Sequence, residues 1–169
     1  AADLYLFGWV DKKTQEVHGL KIPNGLSYLL YQNTTTPVRG LNSFAEKDRP
    51  PMVNFVFQTY HLMVAIGMFL IFWSWLLVFF WWKGKLFHYR WVLLLSVWVV
   101  FLPQIANQVG WYAAETGRQP WVVYNHLRTS DALSKTVTAN QVLFSLILFT
   151  LVYTLLLVLF LYMLNKKIK

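Results

Sequence analysis

Residues 52–82 decide the fold: they read MVNFVFQTYHLMVAIGMFLIFWSWLLVFFWW and contain no Asp, Glu, Lys or Arg. About 20 apolar residues, each rising 1.5 Å, are enough for a helix to cross the hydrocarbon core of a bilayer. Two further stretches have the same character, from about residue 91 to 114 and from about residue 139 to 164. The sequence therefore predicts an all-α integral membrane protein whose three transmembrane helices are part of a larger multi-helix bundle.

The composition supports this interpretation and excludes several other classes of protein. Of the 169 residues, 57% are hydrophobic, 18% are aromatic and 13% are charged, whereas soluble domains have about a quarter charged residues. Low charge with many aromatic residues is the opposite of the signature of disorder. Because the chain has no Cys, disulfides, thiol chemistry and Cys-ligated zinc or iron–sulfur sites are excluded.

The charge distribution predicts how the chain is oriented in the membrane. The loop 83–90 and the tail after residue 164 hold six basic residues and no acidic one, although the whole chain has seven acidic residues. Cytoplasmic loops carry an excess of Lys and Arg, so we expect this loop and the C-terminus to be cytoplasmic, and residues 1–51 and 115–138 to lie outside. The net charge of +8 is then a matter of membrane topology, and we expect no nucleic-acid partner.

The N-terminal part is polar and differs from the rest. Turn and breaker residues divide residues 1–51, which are expected to form a loop with short ordered pieces, and Pro50-Pro51 marks the start of the first span. The sequence opens at Ala1 without Met, and no apolar signal core follows. We therefore expect the C-terminal part of a longer polypeptide, with a processed precursor as the alternative.

The second span carries a polar stripe at spacings of three and four, which places its members on one helix face: Gln104, Asn107, Gln108, Trp111 and Glu115. Polar groups in a membrane helix normally face a bundle interior or a cavity. Pro103 directly precedes the stripe and is expected to kink the helix. Two interpretations stay open on spacing alone: a functional face, or amides that bind helices together with Glu115 marking the outer helix end.

The first span offers two candidate ligands of a haem iron, His61 and Met63. Positions two apart lie about 200° round a helix, so they cannot serve one metal from one regular helix. Gly67 lies one turn after Met63 on the same face and would leave a gap for a flat macrocycle. The alternative is that Met63 is packing filler and that His61 partners a propionate, a polar side chain or a headgroup.

Arg118 lies three residues after Glu115 and could pair with it if the helix continues that far. An Arg at the membrane surface also suits bidentate binding of a carboxylate. The alternative is an Arg–Glu pair that only caps the helix, worth about 1 kcal/mol or less if exposed.

Residues 110–121, GWYAAETGRQPW, resemble the GWxxxExGRQPW signature of subunit I of cytochrome bd-type quinol oxidases. Residues 57–64 are similar to the segment of that family that bears a Met ligand. Residues 6–41 look like the end of its outward quinol-binding loop. The resemblance covers essentially the whole chain, as the C-terminal part of subunit I that follows most of the quinol loop.

The resemblance implies specific roles for five residues. Met63 would be an axial ligand of a low-spin b haem, and Glu115 would ligate or lie against the iron of a high-spin haem, where oxygen is reduced. Trp111 would stack in that haem cluster, and Arg118 would bind haem propionates. His61 stands where the family often has an Arg, so a permanent charge for a propionate is not assured there.

The resemblance also implies cofactors, partners and location. The cofactors would be a low-spin haem b, a high-spin haem b and a haem d, with quinol as substrate and oxygen as acceptor. The partners would be the N-terminal part of subunit I in the same or a separate chain, subunit II and membrane lipids, with a small single-helix accessory subunit as a further candidate. The protein would be located in the prokaryotic cell (inner) membrane. Two alternatives are a non-catalytic scaffold subunit and a transporter fragment using the Pro103 break as a substrate site.

Overall fold

The computed structural model describes residues 1–11, 14 and 16–168, and the chain divides into two compact units, Ala1–Thr129 and Ser130–Lys169. Within the described residues, three helical stretches are long and apolar enough to cross a membrane. They are Glu46–Trp82, Arg90–Arg118 and Ala139–Ile168. The predicted membrane helix bundle with three spans is therefore confirmed.

The N-terminal segment before the first span contains regular secondary structure. Strands β1 (Leu4–Val10) and β2 (Val17–Ile22) form an antiparallel hairpin, and helix α1 (Gly25–Tyr31) follows. The fully buried Ser27 of α1 accepts a 2.7 Å hydrogen bond from the backbone N–H of Ala2 through its hydroxyl. The segment thus contains a strand pair and a short helix, an arrangement that the sequence analysis did not specify.

An ion pair at the surface closes this unit. Lys21 of β2 donates to the Asp3 carboxylate at 2.6 Å, and the backbone N–H of Asn24 donates to the other carboxylate oxygen at 3.0 Å. These hydrogen bonds lower the pKa of Asp3, and the Asp3 carboxylate in turn raises the pKa of Lys21. Both groups are solvent-exposed, so the pair adds little stability.

The first span follows two short 3₁₀ turns, Leu41–Ser43 and Glu46–Asp48. Helix α2 (Val53–Trp82) begins directly after Pro50-Pro51, as predicted, because Pro is tolerated only before or within the first turn. A 3₁₀ turn (Leu86–His88) then leads into the second span.

The second span consists of two helices, α3 (Arg90–Val99) and α4 (Leu102–Arg118). The break falls just before Pro103, in the first turn of α4, which confirms the predicted kink. Helix α4 continues to Arg118, beyond the predicted end near residue 114, so Glu115 and Arg118 lie on a helix and not in the loop. It ends where Gln119, extended at φ −61° and ψ 145°, precedes Pro120, because a residue before Pro avoids the helical region.

Helices α2 and α4 pack closely against each other through small residues of α4. A Cβ added at Gly117 would lie 3.2 Å from a methyl carbon of Val56, and Ala113 is buried between these helices' contact points. Small residues allow helix backbones to approach, which drives helix association in membranes. The indole of the buried Trp73 donates to the Ser96 hydroxyl at 3.3 Å and links α2 to α3.

A second hairpin follows α4, formed by β3 (Trp121–Val123) and β4 (Leu127–Arg128), with Trp121 opposite Arg128. The sequence analysis did not predict it. The second unit contains helix α5 (Ala139–Ile168), which continues beyond the predicted end at residue 164 into the basic tail. None of its described residues is buried, as expected of a span that faces lipid or other parts of a bundle.

Candidate functional site

The polar stripe of α4 lies on the side of the helix away from α2. Gly110 and Ala113 face α2, whereas Gln104, Asn107 and Gln108 are exposed. Among the residues that the structure describes, the side chains of these three amides have no hydrogen-bond partner. Within the first unit they do not bind helices together, so the stripe is free to face a partner or a cavity.

At the outer end of the stripe, Glu115 and Arg118 form an ion pair on the last turn of α4. The side chains are 41% and 50% exposed, so the pair is weak, worth about 1 kcal/mol or less. The predicted pairing is confirmed because the helix extends through both residues. Such a pair can open at low cost, which leaves the carboxylate and the guanidinium free to bind other groups.

Trp111 lies one turn before Glu115 and is 58% exposed. Its ring approaches the neighbouring Tyr112 ring, with centroids 5.3 Å apart, while Tyr112 also contacts Phe55 of α2 edge-on. The stripe therefore presents a large exposed indole beside a carboxylate, two groups that a partner could cover.

Met63, the other candidate iron ligand, lies on α2 where this helix contacts α4. A Cβ added at Gly110 of α4 would lie only 2.6 Å from the Met63 sulfur, so the thioether rests directly over the Gly110 backbone. A Cβ added at Gly67 would meet no described residue within 4 Å. The Met63 sulfur thus fills the space that Gly110 leaves, whereas the space at Gly67 is open, and Met63 is only partly buried. This geometry fits the edge of a flat macrocycle.

His61 has two backbone partners. One ring nitrogen, Nδ1, lies 2.7 Å from the Phe57 carbonyl oxygen, and the other, Nε2, lies 2.9 Å from the Tyr5 carbonyl oxygen of β1. The ring also stacks on the Phe57 ring at a centroid distance of 3.9 Å. His61 thus connects the first hairpin to the helix that bears Met63.

Two further residues of α2, which the sequence analysis did not single out, also connect this helix to β1. Asn54 accepts a 2.9 Å hydrogen bond from the Val10 N–H, and the Gln58 amide donates to the Gly8 carbonyl oxygen at 2.6 Å. Asn54, Gln58 and His61 are spaced four and three residues apart along α2 and therefore share one helix face. Their side chains contact backbone N–H and C=O groups at the edge of β1 that does not pair with β2. Backbone groups at the membrane need such partners. The sequence shows the spacing of these three residues, but it did not predict the strand that they contact.

The candidate iron ligands among the described residues are isolated side chains. Among the described residues, no group of three His, Asp or Glu comes together in a way that could hold a metal ion. Met63 and Glu115 instead stand alone on α2 and α4. An iron held in a macrocycle needs only one or two axial ligands from the protein, so this donor set fits haem better than a bare metal ion.

A cavity of about 360 Å³ lies in the first unit, beside the C-terminal end of α4. Its wall combines aromatic and apolar residues of the segment before α2 with the end of α4 and the second hairpin, including Phe44, Asp48, Arg118 and Trp121. The indole N–H of Trp121 is buried, and no described residue accepts a hydrogen bond from it. Buried polar groups normally have a partner, so this donor is an exception among the described residues.

The contact between Gly110 and Met63 leads to a prediction about thermal stability. We expect Gly110→Ala to lower the melting temperature of the purified protein, because the added methyl must push the Met63 side chain aside, at about 1–3 kcal/mol. Gly117→Ala on the same face of α4 serves for comparison: its methyl would lie 3.2 Å from Val56, so Val56 must shift by less than Met63 and we expect a smaller loss of stability. Both substitutions gain about 1 kcal/mol of helix propensity. A Gly110→Ala protein as stable as the Gly117→Ala protein would contradict the close packing.

Comparison with known proteins decides the family. The family model described as cytochrome bd terminal oxidase subunit I matches residues 1–169. The chain belongs to this family. The resemblance carried by the GRQPW segment is thereby confirmed, and membership favours an oxidase component over the scaffold and transporter alternatives.

Relatives and a solved structure agree with this family. The chain is 31% identical over 176 residues to the cytochrome bd ubiquinol oxidase subunit 1 of Bacillus subtilis, covering 96% of this chain and 37% of that protein. It is 37% identical over 116 residues to the cytochrome bd-II ubiquinol oxidase subunit 1 of Escherichia coli, covering 69% and 22%. The structure of bd oxidase from Geobacillus thermodenitrificans matches with a TM-score of 0.69 and 33% identity, over 93% of this chain and 35% of that one.

The chain thus spans about a third of the length of the B. subtilis relative and of the solved bd oxidase chain. Haem binding is implied by the family, and so is a membrane location, which fits the three apolar helices.

Proposed function

We propose that this chain is a component of a haem-containing quinol:oxygen oxidoreductase, a terminal respiratory oxidase. Electrons would pass from quinol through a low-spin b haem to a high-spin haem site that reduces oxygen to water. The observation that carries this proposal is that the family match covers the whole chain, with two separate donors, Met63 and Glu115, on successive spans. Haem, when bound, supplies the one-electron chemistry that no side chain in this sequence provides.

Met63 is proposed to bind the iron of the low-spin b haem through its thioether. The open space at Gly67, one turn after Met63 on α2, supports this role, because a macrocycle needs a missing side chain near its ligand. Thioether ligation raises a haem potential, which suits an acceptor of quinol electrons. His61 could bind a propionate only by releasing one of its two carbonyl partners.

Glu115 is proposed to ligate or lie against the iron of a high-spin haem, either a haem b or a haem d. Its carboxylate is half exposed and held only by Arg118, so it can turn to a metal. Arg118 would then bind a propionate through its planar guanidinium, and Trp111 would cover the macrocycle with its exposed indole. The polar stripe of α4 would face this cofactor cluster instead of lipid.

The remaining parts of the enzyme are proposed to come from elsewhere. These are the N-terminal part of subunit I in the same or a separate chain, subunit II, and a small single-helix accessory subunit as a further candidate. Residues 1–51 would end the outward quinol-binding loop, and Lys and Arg in the loop 83–90 and the C-terminus would face the cytoplasm of a prokaryotic cell. This chain alone would not be sufficient for activity.

The test is an optical spectrum and an oxygen-consumption assay of the purified complex that contains this chain. We expect haem absorption bands that change on reduction with quinol, and oxygen consumption that depends on added quinol. A colourless complex, or a coloured one that consumes no oxygen with any quinol, would contradict the proposal.

A further inference from the structure

Arg128 at the end of β4 joins three parts of the first unit. Its guanidinium forms an ion pair with Asp48, lies 3.5 Å from the Lys47 carbonyl oxygen, and stacks over the Trp121 ring with 4.4 Å between the guanidinium carbon and the ring centroid. The Arg128 and Asp48 side chains are 32% and 21% exposed, less than those of Glu115 and Arg118. Charge pairs are stronger when they are partly removed from water.

The neighbouring Thr129 fixes the segment that follows Arg118. Its backbone N–H donates to the Pro120 carbonyl oxygen at 3.0 Å, and its hydroxyl donates to the Gln119 side-chain oxygen at 2.7 Å. With Arg128 stacked on Trp121, every residue from 119 to 121 contacts the end of β4. The direction in which the chain leaves α4 is therefore set by residues 128–129.

The other end of this connection lies beside the first span. Asp48 ends the 3₁₀ turn Glu46–Asp48, which leads into α2 and so to Met63. The Arg128–Asp48 pair thus connects the entry of the helix that bears Met63 with the exit of the helix that bears Glu115. Asp48, Arg118 and Trp121 line the same cavity.

Trp121 needs such support because its N–H makes no hydrogen bond to any described residue. Its indole is held by the Arg128 guanidinium on one ring face and by the Tyr124 ring, edge-on at 5.7 Å. Removing the guanidinium would free the indole and the segment that begins at Arg118. The Glu115–Arg118 pair itself is too exposed to hold that segment.

We propose that Arg128 is a positioning residue for the high-spin haem site, which acts through Trp121 and the segment 118–120 rather than by touching substrate or cofactor. This inference rests on the proposed function of Glu115 and Arg118. Residues that orient ligands from outside typically change metal affinity or activity by about 10–100-fold when replaced.

The experiment uses the assembled oxidase with Arg128→Leu, Arg128→Lys and Asp48→Asn, and with Lys135→Met as the control, which removes an exposed cation outside the proposed quinol-binding loop. We expect Arg128→Leu to shift the high-spin haem bands and lower kcat about tenfold, with the quinol KM changed less than about twofold and the low-spin band retained. Lys retains the charge but not the planar stack, so Arg128→Lys should show a smaller shift in the same bands. Lys135→Met should match the unsubstituted enzyme.

Unchanged high-spin bands and kcat in Arg128→Leu would overturn the inference, and so would a parallel loss of all haem bands, which indicates only a folding defect. If Arg128→Leu does not assemble, unchanged bands in both Arg128→Lys and Asp48→Asn would overturn it. An unsubstituted complex without haem would refute the proposed function instead, so the two failures are distinguishable.

Discussion

Replacing Met63 by Leu is expected to abolish quinol oxidation and to convert the low-spin haem to a high-spin form. Leu has a similar volume and fills the space over Gly110, but it has no sulfur to bind iron. The measurement is the reduced-minus-oxidised spectrum of the assembled oxidase together with its quinol-dependent oxygen consumption. Haem content per complex should be recorded as well, because a weakened ligand can release the cofactor.

The matched control for this experiment is Met68→Leu, the same change on the same helix at a side chain that is 62% exposed. It should leave the spectrum and the activity of the oxidase intact. A Met63→Leu enzyme with a normal low-spin band and normal turnover would contradict the ligand assignment. Equal damage from both substitutions would mean that methionine loss harms α2 in general.

Replacing Glu115 by Gln is expected to change the high-spin haem bands and to lower oxygen reduction by at least about tenfold, while the low-spin band stays nearly intact. Gln retains the shape of the side chain but loses the charge that would bind iron, and it also releases Arg118. The measurement is again the optical spectrum, read separately for the two kinds of haem, and the turnover with quinol.

Asp131→Asn supplies the control for Glu115, because it removes an exposed carboxylate that lies outside α4 and outside the proposed quinol-binding loop and should change neither the bands nor the turnover. If Met63→Leu and Glu115→Gln disturbed the same absorption band equally, the assignment of the two residues to two different haems would be wrong.

Much of the membrane part could be predicted from the sequence because its signals are local. The run 52–82 has no formal charge and is flanked by Pro50-Pro51 and Lys83, so both ends of α2 are marked by neighbouring residues. Pro103 marks the break between α3 and α4 in the same way. The end of α4 was placed too early because Glu115 looks like a helix boundary, whereas Pro120 is what stops the helix.

The hairpins were missed because strand pairing depends on distant partners. Residues 4–10 mix aromatic, aliphatic and glycine residues without strict alternation, and β1 is stabilised by Asn54, Gln58 and His61 of α2. The same reason hid the contact of Met63 with Gly110 and the pairing of Arg128 with Asp48. In each case a residue's role depends on a neighbour many positions away along the chain.

For the candidate site, too, features that depend on local spacing could be predicted, and contacts with distant residues could not. The spacing of Gln104, Asn107, Trp111 and Glu115 predicted one helix face, and the structure leaves that face exposed opposite the contact with α2. For His61, spacing alone could not reveal the two backbone carbonyls that its ring nitrogens contact.

The most direct test is a structure of the assembled oxidase at a resolution that places iron. We expect the Met63 sulfur bonded to the iron of one haem, and the Glu115 carboxylate bonded to or against the iron of another. Lipid tails or protein side chains packed against either group, with no haem iron within bonding distance of Met63, would contradict the assignment of these two spans to two haem sites.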